Sequence, residues 1–215
     1  MLVEGRMSQP VIAIQPDMPV HDAQNLFKQE QIRRAPVVKD GKLVGIVSDK
    51  DLFNAAPSQA TSLSIWEMNY LLSKITIKDI MTKNVITINE DTPIEQAARI
   101  MVDNKIGGLP VMRDDKVVGM ITETDLFKIF LELMGAREVG IRVTAFIDDH
   151  PGALQEITNA ITKIGGNFIA FGQFTGEDVA TKLLTFKVSG AKLDDVKNAI
   201  SGFVREIRDI RESHI

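Results

Sequence analysis

The 215-residue chain has no cysteine, so disulfides, thiol nucleophiles and Cys-ligated zinc are excluded. It carries one Trp, one Tyr and three His. The histidines, His21, His150 and His214, stand far apart, and no Glu-x-x-His or His-x-x-x-His spacing puts metal ligands on one helical face. No Walker loop, Gly-x-Ser-x-Gly elbow or Gly-x-Gly-x-x-Gly turn occurs. Neither an enzyme nor a metal site is expected. Positive charge is not in excess: 25 Lys and Arg stand against 29 Asp and Glu, for a net charge of −4. Nucleic-acid binding by phosphate neutralisation needs clustered cations, and none are indicated. Apolar residues nowhere run to the roughly 20 needed to span a bilayer, and residues 1–6 lack the apolar stretch of a secretory signal. A cytoplasmic protein with no membrane and no nucleic-acid partner is the expectation.

What is present is an ordinary globular composition, 44% hydrophobic and 25% charged, in a chain long enough for one large or two modest domains. Its dominant feature is an internal repeat. Residues 7–53 match residues 81–127 at one offset, without a gap: Met7 with Met81, Pro19 with Pro93, Ala23 with Ala97, Pro36 with Pro110, Gly45 with Gly119, Asp51 with Asp125 and Leu52-Phe53 with Leu126-Phe127. Each copy reads alike. A short extended run (11–14, 85–88) leads to a proline placed for the first turn of a helix. Apolar residues follow at helical spacing: Ala23, Leu26 and Phe27, then Ala97, Ile100 and Met101. A hairpin comes next. Its first turn is built on Asp40-Gly41, a strong signal, and its second on the weaker Asp114-Asp115. Ser48 and Thr122 then read as helix N-caps, with Asp51 and Asp125 three residues on in a capping-box arrangement.

The β-α-β-β-α order, the hydrophobic-hydrophobic-Pro-Val segment and the closing Gly-x-x-(Ser/Thr)-x-x-Asp-Leu resemble the CBS domain, two copies of which normally pack as a pseudo-symmetric pair with two clefts. The resemblance covers about the first 130 residues and implies adenosine-containing ligands: AMP, ADP or ATP as a regulatory ligand, with no cofactor required. Under it, Asp51 and Asp125 are the ribose clamps, and the hydroxyls of Ser48 and Thr122 suit phosphate oxygens at helix N-termini. The walls would be Met7, Ile12, Ile32, Arg33 and Arg34 in the first copy, and Met81, Asn84, Ile86, Ile106, Gly107 and Gly108 in the second. Gly107-Gly108 would let a ligand approach the backbone closely, whereas Arg33-Arg34 offers charge, so the two sites are expected to differ. A (Ser/Thr)-x-x-Asp at a helix start is also an ordinary cap, and that reading stays open.

Beyond Gly135, placed as a helix stop, the pattern changes. A strand over 139–147 leads through the turn Asp148-Asp149-His150-Pro151-Gly152 to Leu154, Ile157, Ile161 and Ile164 at helical spacing. Strands over 168–174 and 182–188 flank the turn Gly176-Glu177-Asp178. Leu193, Val196, Ile200 and Phe203 mark a second helix, and a last strand is expected over 204–210. The order β-α-β-β-α-β is ferredoxin-like. With Asp-x-Pro-Gly, Leu-x-x-Ile and a Gly-x-Asn strand entry, it resembles an ACT domain. That resemblance implies pairing by sheets and ligand contacts at Asp149, Gly152 and Asn167. Many amino-acid binders of that family have Asn where Asp149 stands.

The expected fold is therefore α+β. A tandem CBS pair occupies 1–136, with repeats of about 7–56 and 78–134 and a helical linker over 58–75, and a ferredoxin-like ACT domain occupies 137–215. In the linker, Ile65, Met68, Leu71 and Leu72 share one face with helical spacing, beside Trp66 and Tyr70. The whole arrangement resembles the bacterial acetoin utilization protein family AcuB. It implies a non-catalytic sensor that binds an adenine nucleotide, forms a homodimer and controls a protein target not named by the sequence. The alternatives are a structural dimerisation module with empty clefts and, last, an enzyme acting on nucleotides.

Overall fold

A computed structural model of the protein describes residues 1–55, 64, 67 and 74–214; the expected linker face of Ile65, Met68, Leu71 and Leu72, with Trp66 and Tyr70, lies outside the described residues. The chain divides into two compact units, Met1–Leu126 and Phe127–Ile215. Among the described residues no helix is long and apolar enough to cross a membrane.

The first unit holds the repeat. In the first copy, α1 (Val20–Gln29) precedes the hairpin β1 (Arg34–Lys39) and β2 (Lys42–Ser48), followed by α2 (Asp49–Asn54). In the second, α3 (Ile77–Ile80) and the two-residue β3 (Ile88–Asn89) precede α4 (Ile94–Asn104), the hairpin β4 (Gly108–Arg113) and β5 (Lys116–Thr122), and α5 (Glu123–Leu133). The division between units falls within α5. Pro19 and Pro93 sit one residue earlier than expected, as N-caps with extended ψ of 143° and 139°; proline's fixed φ suits that position too. The first turn has both central residues at positive φ, Asp40 and Gly41, whereas the second has only Asp114. Both hairpins shift register at equivalent positions, Val37/Val38 and Val111/Met112, bulges that bend both ribbons alike.

The extended runs expected over 11–14 and 85–88 are mostly not strands. Only their ends pair: Ile14 with Val37 and Ile88 with Val111, both parallel. The reason lies in where these segments come from. Ser8 pairs with Met120 in the second hairpin, and Thr82 pairs with Ile46 in the first. Each segment therefore crosses from the other copy's hairpin to its own. The lead-ins do the same. Leu2 bridges Pro93 and Thr76 bridges Pro19, the Val3 N–H donates to Thr92 O and the Ile77 N–H to Met18 O, both at 3.0 Å. Ile77 is fully buried in the first copy's core with Ile14, Val20, Ala23, Phe27, Val37, Val47 and Leu52. Each repeat is completed by the other's leading residues.

In the second unit β6 (Gly140–Asp148), α6 (Ala153–Lys163), β7 (Asn167–Thr175), β8 (Thr181–Ser189), α7 (Leu193–Ile200) and β9 (Glu206–Ser213) follow in the ferredoxin-like order. The sheet runs β7-β8-β6-β9, with every pair antiparallel. Alternation along β6 turns Ile141, Val143, Ala145 and Ile147 inward onto Ile157, Ile161, Val196 and Ile200 of the helices. The last strand begins two residues later than expected. Lys187 of β8 is only 3% exposed, and its ammonium donates to Gly135 O at 2.7 Å, Glu138 O at 2.9 Å and Ser213 Oγ at 2.9 Å. Those bonds satisfy a charge that burial would otherwise disfavour.

Candidate functional site

The two helix starts that follow the hairpins are built alike. Ser48 caps α2: its N–H and hydroxyl donate to Asp51 Oδ2 at 2.8 and 2.6 Å, and the Asp51 N–H donates to Ser48 Oγ at 3.3 Å. Thr122 repeats this at α5, its N–H and hydroxyl donating to Asp125 Oδ2 at 3.0 and 2.7 Å. The full capping box is realised at α2, and α5 repeats its two bonds to the carboxylate. A carboxylate offers about four acceptor sites and the cap bonds use two, so capping does not by itself exclude holding a ribose. The two sites differ in depth, because Asp125 is 7% exposed while Asp51 is half-buried.

The wall residues do not group copy by copy. Met7 is buried, but against the second hairpin: a Cβ built on Gly119 would lie 2.9 Å from Met7 Cγ, and one on Gly45 would lie 2.9 Å from Met81 Cγ. Ile12 and Ile32 are half-buried, and Asn84 and Ile86 are exposed on the segment that crosses between hairpins. Ile106 is half-buried, and Arg33 is exposed at the turn into β1. Arg34 departs most from expectation. Its side chain lies along Gly108 and Gly107, with its Cδ 3.3 Å from a Cβ built on Gly108 and its Cζ 2.8 Å from one on Gly107. The expected open glycine wall is therefore covered, by an arginine of the first copy. Sequence offered the two glycines as the only signal; the contact runs through space.

The charges resolved near these elements belong to caps and surface pairs. The Thr76 hydroxyl and N–H hold the Asp79 carboxyl of α3 below its usual range, and Arg113 does the same for Glu90. Among the described residues no group of three His, Cys, Asp or Glu side chains is placed to hold a metal.

In the second unit Asp149 follows β6, and its carboxylate meets the Lys182 ammonium at 3.2 Å. Gly152 has φ of 96° at the start of α6, and a Cβ there would meet nothing within 4 Å. Asn167 pairs with Ser189, whereas Asp148, beside Asp149, pairs with Thr181. Those partners stand eight residue steps apart along one strand, about 26 Å at strand rise. The three residues of the expected ligand set therefore do not converge within one chain.

A family model described as CBS domain matches residues 3–58 and 77–132, just over half of the chain and nothing beyond residue 132. Among solved structures, the CBS domain pair of protein MJ0100 in complex with 5′-methylthioadenosine and S-adenosyl-L-methionine is 33% identical, with a TM-score of 0.51, over 60% of this chain and 95% of that one. CBSX2 of Arabidopsis thaliana in complex with AMP is 31% identical, with a TM-score of 0.51, over 61% and 97%. A Vibrio cholerae protein carrying the provisional name acetoin utilization protein (AcuB) is 29% identical, with a TM-score of 0.52, over 62% and 92%. Of the curated relatives it matches in Methanocaldococcus jannaschii, the chain spans 47% of one, 92% of a second and 23% of a third.

Proposed function

We infer the function from one premise: this chain belongs to the CBS-domain family. From it we propose a non-catalytic regulatory sensor that binds an adenine nucleotide (AMP, ADP or ATP) in the clefts of its CBS pair and controls a partner protein. One observation carries the reading. A hydroxyl and a carboxylate stand together at equivalent ends of both hairpins, Ser48 with Asp51 and Thr122 with Asp125, beside segments exchanged between the copies. Similar pairs supply the ligand class, since one is in complex with AMP and another with methylthioadenosine and S-adenosylmethionine. In this proposal the carboxylates clamp ribose, and the Thr122 hydroxyl and the first N–H groups of α5 receive phosphate.

The functional division proposed is a CBS pair over 1–136 and an ACT domain over 137–215, supported in the latter by the ferredoxin-like order. A ligand held by Asp149 and Gly152 of one copy and Asn167 of another would require a homodimer. Its role would be cytoplasmic regulation, with acetoin utilization suggested by likeness to the Vibrio cholerae protein over the CBS pair. A second reading, a dimerisation module with empty clefts, is favoured by Phe53 and Phe127, exposed at equivalent repeat positions.

A thermal-shift and calorimetric panel of AMP, ADP, ATP and S-adenosylmethionine tests the sensor. Asp125→Asn is the appropriate variant, because it keeps an acceptor for the Thr122 cap and removes the charge. It is expected to weaken binding about tenfold, the loss of one charge-assisted hydrogen bond. Saturating nucleotide with no shift and no heat, in a protein that light scattering shows to be dimeric, would leave the dimerisation module instead.

A further inference from the structure

The repeat is symmetric in its backbone but not in the two residues that open each hairpin. Positions 33 and 34 are both arginine, and their equivalents 107 and 108 are both glycine. Arg34 stands at the start of β1 opposite Ser48, yet its side chain runs to the second copy. Its stem passes Gly108, where a Cβ would also meet Thr122 Cγ2 at 3.3 Å, and its Nη2 occupies the space a Gly107 side chain would fill. The same point lies 2.7 Å from Glu123 Oε2. Both glycines are buried, and neither has a positive φ. They are therefore not required by the backbone's conformation; they leave the room that Arg34 takes. The reciprocal contact cannot form, because Gly108 has no side chain to lay on Arg33.

We propose that Arg34, contributed by the first repeat, is the specificity-determining residue of the second cleft, and that with Glu123 it selects an adenosine monophosphate over both uncharged adenosine and adenosine polyphosphates. The inference rests on the nucleotide-binding reading above. The guanidinium lies against Gly107 and Glu123 at the first turn of α5, and its stem passes Thr122, the residue proposed above to receive phosphate. Guanidinium meets phosphate oxygens in a planar, bidentate geometry. Glu123 puts one negative charge at the same point and opposes each further phosphate. One cation and one anion there favour a ligand with a single phosphate. The position equivalent to Arg34 is Gly108, so the first cleft receives no arginine from it and lacks this discrimination.

Calorimetry of AMP, ATP and adenosine against the full chain tests the proposal through ratios of affinity. Arg34→Gln keeps a stem over Gly108 and removes the charge; the AMP-to-adenosine ratio is expected to fall about tenfold. Arg34→Lys, which retains the charge, is expected to hold most of that ratio. Glu123→Gln is expected to raise ATP affinity relative to AMP several-fold. A merely structural arginine would change all ligands together. An unchanged AMP-to-adenosine ratio in Arg34→Gln, in a protein that still binds AMP, overturns this inference and leaves the sensor intact. Failure of the unaltered protein to bind any adenine compound overturns the sensor reading itself.

Discussion

The two repeats share a backbone and differ at a few positions, and those differences show which features the fold requires of both copies. The shared set is the exchange itself: Gly45 and Gly119 admit Met81 and Met7, Ile77 and Val3 are fully buried, and both hydroxyl–carboxylate caps form. Apart from Arg34 and the glycines it covers, the variable set is local. The first hairpin turns on Asp40-Gly41, both left-handed, and the second on Asp114 with only one such residue. The first lead-in is a 3-10 turn, Val3–Gly5, and the second an α-helical one. Thr76 and Asp79 close a capping box there, and the equivalent Leu2 and Gly5 have no side chains that can. The exchanged lead-ins and the methionine contacts tolerate little asymmetry, whereas turns, ends and the contact of Arg34 with Gly107 and Gly108 differ between the copies.

The largest test strikes the shared set. A Cβ at Gly45 or Gly119 would press on a methionine sulfur and stand 3.1 Å from the backbone oxygen of Thr82 or Ser8. Gly45→Val and Gly119→Val are each expected to cost roughly 2–3 kcal/mol by overpacking, in near-equal amounts, read from urea titrations. A cost confined to one copy would break the symmetry argued here.

The caps should sharpen the contrast in depth. Asp125→Ala removes the acceptor for two Thr122 donors at a buried position, at about 2 kcal/mol, while Asp51→Ala at its half-buried position should cost about 1 kcal/mol. Equal losses would mean that burial does not separate the two sites.

Turn chemistry gives a smaller effect. Gly41 has a φ of 78°, so Gly41→Ala puts a side chain in the left-handed region and should cost about 1 kcal/mol. Asp115→Ala, whose backbone is not left-handed, should stay within about 0.5 kcal/mol. Thermal melts of the pair decide it.

The smallest effect is a pH dependence confined to one lead-in. Asp79 is held below the usual carboxylate range by the Thr76 hydroxyl first, then by the Thr76 N–H. A group whose folded value is depressed contributes fully above its unfolded value, near pH 4, and loses that contribution as pH falls through the folded one. Protection factors at Thr76 and Asp79 should therefore fall below about pH 4, and Asp79→Asn should flatten the dependence. The lead-in Val3–Gly5, with Gly5 at the equivalent position, should show none.

Much of this architecture is legible along the chain. Asp40-Gly41 specifies a two-residue turn whatever surrounds it, and Ser48 with Asp51 specifies a cap, because the bonds involved join residues three apart. The ferredoxin-like order of the second unit follows from periodicity switching between 2 and 3.6. The extended runs over 11–14 and 85–88 misled for a physical reason. The segments cross between two hairpins, so ladder pairing and full burial reach only Ile14 and Ile88.

Order, turns, caps and the duplication itself were decided within short windows, where local hydrogen bonds and side-chain periodicity act without reference to distant residues. Three matters were decided only in space: that each lead-in completes the other copy, that Arg34 covers Gly107 rather than serving its own hairpin, and that Asn167 and Asp149 stand at opposite ends of one sheet. A repeat at constant offset has the same pattern whether its copies pack at home or exchange, because burial of Ile77 stabilises equally in either core. Strand register then sets distances that sequence spacing does not contain.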